Sequence, residues 1–222
     1  MSILRFGFGD VPYIGAYMKA TDKFALVPDT LSKNDIEAVE EALGVPVHVV
    51  SVGGSMLIGV FLCANSNGVI MPYFSTDREV KKIEKEVGVN VYRMKSQFTS
   101  FGNLILVNDK FAVCSPSIEK ELLPEIGETL GVEVEQRKIA SMDLVGTTTV
   151  ATNRGGLTHP MTSDEDMKWL ESVLKVPIQR GTVNLGSPYI GIGLVANSRG
   201  ALVGFQTTGP EIIRISEALR IE

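Results

Sequence analysis

Residues 12–28, PYIGAYMKATDKFALVP, return near the other end of the chain as PYIGIGLVANSRGALVG, residues 188–204. Between them stand three further versions: IGVFLCANSNGVIMP (58–72), FGNLILVNDKFAVCS (101–115) and VGTTTVATNRGGLTH (145–159). One glycine anchors each copy, at Gly15, Gly59, Gly102, Gly146 and Gly191, so the period stays between 43 and 45 residues. A fixed period of this size marks a repeat architecture. No unit buries its apolar surface alone, and stacked neighbours share a core.

Each copy has the same local grammar. After the glycine comes a short apolar strand and then a turn: ATDK, ANSN, VNDK, ATNR or ANSR. Asn, Asp and Ser side chains bond nearby backbone there, and a second strand completes a hairpin. Ser32 with Asp35, Thr76 with Glu79, Ser163 with Asp166 and Thr208 with Glu211 follow. A hydroxyl with an acid three residues later satisfies the free amides of a helix start. In the third copy Ser117 is the expected cap, without an acid in the box position. Apolar residues then recur at helical spacing, as in Ile36, Val39 and Leu43, or Val80, Ile83 and Val87, or Ile212, Ile215 and Leu219. Gly44, Gly88 and Gly131 fall where a helix ends in a left-handed residue. A third strand follows (VPVHVVSV, VNVYRMKS, VEVEQRKI, VPIQRGTV). With one apolar and one charged face, each helix is expected to cover the outside of a sheet.

The fifth unit runs out after Leu219. Its missing strand stands at the other terminus, in SILRFGFGDVP (2–12), which has no upstream unit to belong to. From the last apolar helix residue to the next anchoring glycine is 15 to 17 residues within the chain; joining Leu219 to Gly15 through the two termini gives 18. The expectation is an α/β fold, a five-fold pseudo-symmetric αβ propeller closed by the N-terminal strand. It forms a single domain over 1–222, with units at about 14–57, 58–100, 101–144, 145–189, and 190–222 with 1–13.

Composition narrows the function by exclusion. A net charge of −5 argues against binding that rests on bare nucleic-acid phosphates, since each one neutralised needs a Lys or Arg. Cys63 and Cys114 form neither a disulfide framework nor a metal spacing, and their apolar settings read as buried free thiols. His48 in VPVHVV reads as a strand residue and His159 in GGLTHPMTS as a turn residue, neither with a metal-ligand neighbour. No phosphate-cradling glycine loop precedes a helix. The N-terminus lacks the pattern of a signal peptide and no apolar run is long enough to span a bilayer, so the cytoplasm is the expected compartment. No catalytic residue, metal, cofactor, membrane or small-molecule substrate is expected.

Charges crowd onto the helices and leave the segments before the glycines almost bare. None occurs in 44–76, 96–108 or 181–198. Pseudo-symmetry brings these segments to one end of the ring, with Tyr13, Leu57, Phe101, Val145 and Tyr189 among Gly, Ser, Thr and Asn. A charge-poor end carrying aromatics fits a protein-docking surface. Tyr13 and Tyr189 suit anchors, and Asn103 offers a directional hydrogen bond.

Five such units in a ring resemble the pentein fold, a five-bladed αβ propeller. GGLTHPMTSDED (155–166) followed by KVPIQRGTVNLGS (175–187), with the opening SILRFGF and the five-unit layout, resembles the translation initiation factor 6 family over essentially the whole chain. The ending RIE, without the longer tail of eukaryotic members, is similar to the archaeal form. The resemblance implies a non-enzymatic monomer that docks on the large ribosomal subunit, on a ribosomal protein beside the sarcin–ricin loop, with that RNA loop as a further contact. It would keep the small subunit from joining and take part in maturation of the large one. Carried over by repeat position, the ribosome-binding residues are Leu57, Phe101, Asn103, Thr148 and Tyr189, with Tyr13 added by pseudo-symmetry. The pentein fold also hosts enzymes that modify guanidino compounds with a nucleophilic Cys, a His and carboxylates near the axis. That implies an alternative in which Cys63 or Cys114 works with His48 or His159.

Overall fold

The structure, a computed structural model, describes residues 3–221; Met1, Ser2 and Glu222, which the expected outer units include, lie outside the described residues. Five three-stranded sheets surround one axis. In each, an inner strand pairs antiparallel with a middle strand, and the middle strand pairs in parallel with an outer one. The inner strands are Lys19–Ala20, Cys63–Ala64, Ile105–Val107, Thr149–Ala151 and Leu194–Ala196. Parallel pairing requires a crossover, supplied in the first four units by the helices Lys33–Leu43, Asp77–Glu86, Leu123–Leu130 and Asp164–Leu174.

The fifth sheet is completed from the far end of the chain. Ile3–Phe6 pairs in parallel with Ala201–Gly204, Ile3 opposite Ala201 and Phe6 opposite Gly204. The closed α/β ring expected from the sequence is the one observed.

The anchoring glycines do not begin strands, as the sequence suggested. They sit in single helical turns: Ile14–Ala16, Ile58–Phe61, Phe101–Leu104, Val145–Thr148 and Ile190–Gly193. Close packing at the axis is the reason. A Cβ on Gly59 would meet the Gly15 carbonyl oxygen, one on Gly102 that of Gly59, and one on Gly146 that of Gly102. Gly191 is set against Gly146 in the same way, and Gly15 against Gly191, every approach under 3.0 Å. The circle closes on itself, and only residues without a side chain fit in it.

The core is divided into five clusters, each shared by two neighbouring units. Ile126 and Leu130 of the third helix pack with Ile70 and Met94 of the second unit and with Ala112 and Cys114 of their own. Ile83 meets Phe24 and Leu26 of the first unit, and Ile215 and Leu219 meet Leu157 of the fourth. The helices therefore fill the wedges between successive sheets instead of covering the outside of one, which corrects the sequence expectation. A sheet buried on both faces needs continuous apolar runs, and Gly68–Pro72 and Phe111–Cys114 are buried throughout.

Capping boxes form at Ser32–Asp35, Thr76–Glu79 and Thr208–Glu211. Ser163 caps its helix too, but the Asp166 carboxylate pairs with Arg137. Ser117 is not a cap. Ile118 turns into the core, a 3-10 turn follows at Lys120–Leu122, and the helix Leu123–Leu130 starts with Pro124 in its first turn, where a missing N–H costs nothing. Gly44, Gly88 and Gly131 take positive φ as expected, while Lys175 and Arg220 do so without being glycine.

At the hairpin end the units are tied by asparagines. Asn65 Nδ2 donates to the carbonyls of Asn108 at 3.2 Å and Leu130 at 2.8 Å. Asn108 reaches Thr152 and Leu174, and Asn197 reaches Thr21 and Leu43, in the same way. Each satisfies an open carbonyl at the end of the next unit's helix.

Gly59→Ala is expected to destabilise the fold by about 3 kcal/mol, because the clash is with backbone that cannot move aside. Thermal unfolding should fall by roughly 6–12 °C. A variant that melts with the parent would show that the glycine circle does not constrain the ring.

Candidate functional site

Inner strands run from the glycine turns to the hairpins, so the two ends of the ring differ in chemistry. At the hairpin end, Asn153 Nδ2 donates to the carboxylates of Asp22 and Asp109, both at 2.7 Å. Ser66 and Ser198 donate to the same carboxylates through backbone N–H and hydroxyl. These polar groups satisfy one another.

The opposite end gathers the turns before each glycine and the turns after each middle strand. Tyr13, Met56, Tyr73, Leu144, Met161, Leu185, Tyr189 and Phe205 all lie there, exposed to solvent. Among the described residues, Ile213 alone is a large exposed hydrophobic elsewhere. Met161 at 78% and Leu185 at 71% exposure are nearly free of protein contact. The turn before Gly102 and the turn after the third middle strand, Phe111–Cys114, supply none of these residues, so the patch is a crescent. Apolar surface concentrated this way marks an interaction site.

Capping carboxylates hold the crescent's turns. Glu79 accepts from Thr76 in its own helix start, and also from Gly53 N–H at 2.9 Å, Gly54 N–H at 3.0 Å and the Ser51 hydroxyl at 2.7 Å. Burial pushes this carboxyl up, but the donors from Gly54, Thr76, Ser51 and Gly53 outweigh it and hold the group at about 2. Glu211 grips Gly186 N–H and the Thr182 hydroxyl while capping at Thr208, and it too is lowered despite its burial. Glu119, whose side chain caps no helix, accepts from the Ser96 hydroxyl and the Gln97 N–H, and the Ser96 hydroxyl lowers it most. Glu79 and Glu211 thus each serve both a helix start and the turn of the preceding strand. Asp35, a methylene shorter, makes no such bond, and Asp166 instead takes the Arg137 guanidinium just after the preceding outer strand.

The predicted residues divide. Tyr13 (49% exposed) and Tyr189 (41%) stand immediately before their glycine turns, and Leu57 occupies the same position beside Met56. Asn103 is half-buried within its turn. Phe101 and Thr148 are fully buried, so their side chains cannot touch a partner. Phe101 takes the core position held elsewhere by Ile14, Ile58, Val145 and Ile190, and the Thr148 hydroxyl bonds the Val145 carbonyl at 2.9 Å. The structural equivalents of Tyr13 and Tyr189 are Ser100 and Leu144, which share their backbone angles. The ring-end positions read from the sequence, Phe101 and Val145, each lie one residue past these, and Thr148 lies four past Leu144.

It also missed Met56, Leu144, Tyr73, Met161, Leu185 and Phe205. A strict count back from each glycine finds Leu144. Leu185 lies in a turn with positive φ at Asn184 and Leu185, an unusual seat for an apolar residue. His159 lies beneath the crescent, its ring 6.4 Å from that of Tyr189, and its Nδ1 accepts the Met161 N–H at 3.0 Å. Burial lowers its pKa, which keeps it neutral and able to accept.

Both thiols are buried. Burial pushes Cys63 up to about 12 and Cys114 higher still. Cys63 is on an inner strand and Cys114 on a middle strand, whereas His48 is on an outer strand and His159 follows the fourth middle strand. Among the described residues no group of three or more His, Cys, Asp or Glu is placed to hold a metal ion. No helix among them is long and apolar enough to cross a membrane.

The sequence profile of the eIF-6 family matches residues 3–218. The chain is similar to the translation initiation factor 6 of Pyrococcus horikoshii, 45% identical over 224 residues that cover 99% of each chain. It is similar to that of Methanocaldococcus jannaschii at 40% over 223 residues, covering 98% of this chain and 97% of the other. Among solved structures it resembles a dimethylarginine dimethylaminohydrolase variant in adduct with S-methyl-L-thiocitrulline, with TM-score 0.51, 15% identity, and coverage of 99% and 90%. At that identity the likeness is one of fold, and the shared fold is the pentein ring.

Glu79→Ala should lower the unfolding free energy at neutral pH by about 1–2 kcal/mol through the lost cap and turn bonds. The folded pKa, about 2, lies below the ordinary 4.5, so the stabilisation is complete above 4.5 and is lost as pH falls towards 2. Urea titrations should show the gap between parent and variant closing in that window. A gap that persists in acid would mean the carboxylate charge is not what stabilises the turn.

Proposed function

The chain belongs to the eIF-6 family of translation initiation factors, and from that premise we propose that it binds the large ribosomal subunit through the apolar crescent and keeps the small subunit from joining. The observation that carries this reading is that, among the described residues, eight of nine exposed large apolar side chains stand at one end of the ring. The mechanism is occlusion. No bond is made or broken, and the block lasts as long as the complex does.

The partner that suits this surface is a basic ribosomal protein beside the sarcin–ricin loop, with the loop as a secondary contact. The chain carries a net charge of −5, although the acids at the helix starts, Asp77, Asp164 and Glu165, are paired with Arg93, Arg180 and Arg137. A negative net charge favours a cationic partner over bare phosphate backbone. Tyr13, Leu57, Asn103 and Tyr189 serve as contacts, with Met56, Leu144, Met161 and Leu185 beside them. The factor acts as a monomer and as one domain over 1–222, in the cytoplasm and without a cofactor, and it accompanies maturation of the large subunit.

Mixing the protein with purified subunits should reduce joined ribosomes in sucrose gradients. The pair Leu185→Asp and Tyr189→Asp should weaken co-sedimentation with the large subunit at least about tenfold, while leaving the melting temperature unchanged. Full binding by that double variant would place docking elsewhere on the molecule.

A guanidino-modifying enzyme would need an ionised, accessible thiol, and burial opposes both conditions at Cys63 and Cys114. Iodoacetamide should leave the native protein unlabelled over minutes and modify both cysteines in urea. Rapid labelling of one native thiol would reopen the catalytic reading.

A further inference from the structure

The inner strands wall a cavity of about 70 Å³ on the ring axis, lined by Met18, Lys19, Cys63, Ile105, Thr149 and Leu194 among others. That is room for several waters, each of which needs roughly 10–15 Å³. The glycine circle lies at one end of it, and beyond the other end Asp22, Asp109 and Asn153 line the next cavity along the axis.

The strand register determines what the wall presents. Thr21, Asn65, Asn108, Thr152 and Asn197 each donate their N–H across their own hairpin, to Phe24, Gly68, Phe111, Gly155 and Gly200. Alternate residues of an antiparallel pair face the partner, so the residues one step inward point the other way. Ala20, Ala64, Val107, Ala151 and Ala196 therefore turn N–H and C=O towards the neighbouring inner strand. No ladder receives them, because the five sheets are separate. A ring of open backbone amides results, and such groups require water or a ligand.

Lys19 brings a cation to the same wall. Its Nζ has one protein acceptor among the described residues, the Gly102 carbonyl at 3.4 Å, longer than an ordinary N–H···O bond. The residue's partial exposure is to the cavity. Burial lowers the pKa of Lys19 and raises that of the neighbouring Cys63 thiol to about 12, so the thiol supplies no counter-charge at neutral pH. Asp22 and Asp109, in the next cavity along the axis, are turned to Ser66, Asn153 and Ser198, and neither pairs with Lys19. A buried ammonium without a counter-ion is costly, and it either gives up its proton or acquires an anion.

We propose that the axial cavity is a binding site for one small monovalent anion of the halide or nitrate class, held by the Lys19 ammonium and by N–H groups of the inner strands. Three features select that ligand. The cavity is small, a single positive charge faces it, and the remaining donors are neutral amides. The bound ion would tie inner strands of different units together and so stabilise the closed ring, independently of whether the ring docks on a ribosome.

Two measurements on the full chain test this. Thermal unfolding in sodium chloride or bromide should lie about 3 °C above that in sodium gluconate of equal ionic strength, as for a site filled well above its Kd. Lys19→Met should melt at the same temperature in all three salts. Crystals of the parent grown in bromide should show an anomalous peak on the axis beside Lys19 Nζ. Water alone at that position, or a halide shift that survives in Lys19→Met, overturns the proposal. A peak without any halide shift means an adventitious ion only and also counts against it. Should Lys19→Met fail to fold, the salt comparison and the bromide crystal of the parent decide the matter.

Discussion

The contact on which everything else rests is backbone against backbone. Gly15, Gly59, Gly102, Gly146 and Gly191 lean on one another's carbonyls in a closed circle at the axis. Their closeness sets the radius of the ring, and the radius sets the wedge between successive sheets that each covering helix must fill. A wider centre would leave voids around Ile126 and Leu130 and forfeit the dispersion contacts that the shared cores depend on. A single methyl group at the centre is thus felt at the periphery. Stability is collective here: no unit owns a core, so none has a reason to stay folded without its neighbours.

The same geometry explains how a flat apolar surface is displayed on short turns without collapsing. The turns before the glycines are too brief to hold themselves, and three are held by carboxylates, two of them borrowed from helix caps. Glu79 and Glu211 link the outer strand of one unit to the helix of the next, and Glu119 links it to the segment before that helix. The exposed apolar residues are therefore presented on a preorganised frame, which would lower the entropy lost in the proposed docking. Where the acid is the shorter Asp35 this bond is missing, and Asp166 replaces it with an ion pair to Arg137, so the frame is not uniform around the ring.

Much of the architecture was legible because repetition multiplies weak signals. One glycine says little, but five at a constant period, followed by five turns and four cap patterns, specify a closed ring and even the donor of its last strand. The position of the helices was less legible. An apolar stripe says that a helix is buried on one face and does not say whether one sheet or two cover it. The exposed positions proposed for docking were read least well. Phe101 and Tyr189 both precede a glycine closely, but one residue of offset separates a core position from an exposed one. Sequence likeness between units does not resolve that step, because the exposed position carries Tyr, Leu, Ser or Leu as freely as a surface allows. Met161 and Phe205 were invisible for a related reason: an apolar residue after a strand reads as the strand's continuation until the backbone shows that it has ended. The cavity lysine went unremarked because nothing in MKATDK distinguishes a side chain that points to the axis from one that points to water.

The pairing of Ile3–Phe6 with Ala201–Gly204 also has a history in time. During synthesis the N-terminal strand emerges first, and its partner emerges nearly 200 residues later. At ordinary elongation rates that is a wait of roughly 10–40 s. Throughout that interval four units can stack while the ring stands open, with an unpaired strand at one margin and an incomplete sheet at the other. Such edges invite pairing with other chains. Arg5 in the waiting strand, charged and exposed, is the kind of residue that discourages it. The last event of folding is therefore the meeting of the oldest and youngest segments of the molecule, and until it occurs the protein has two sticky ends.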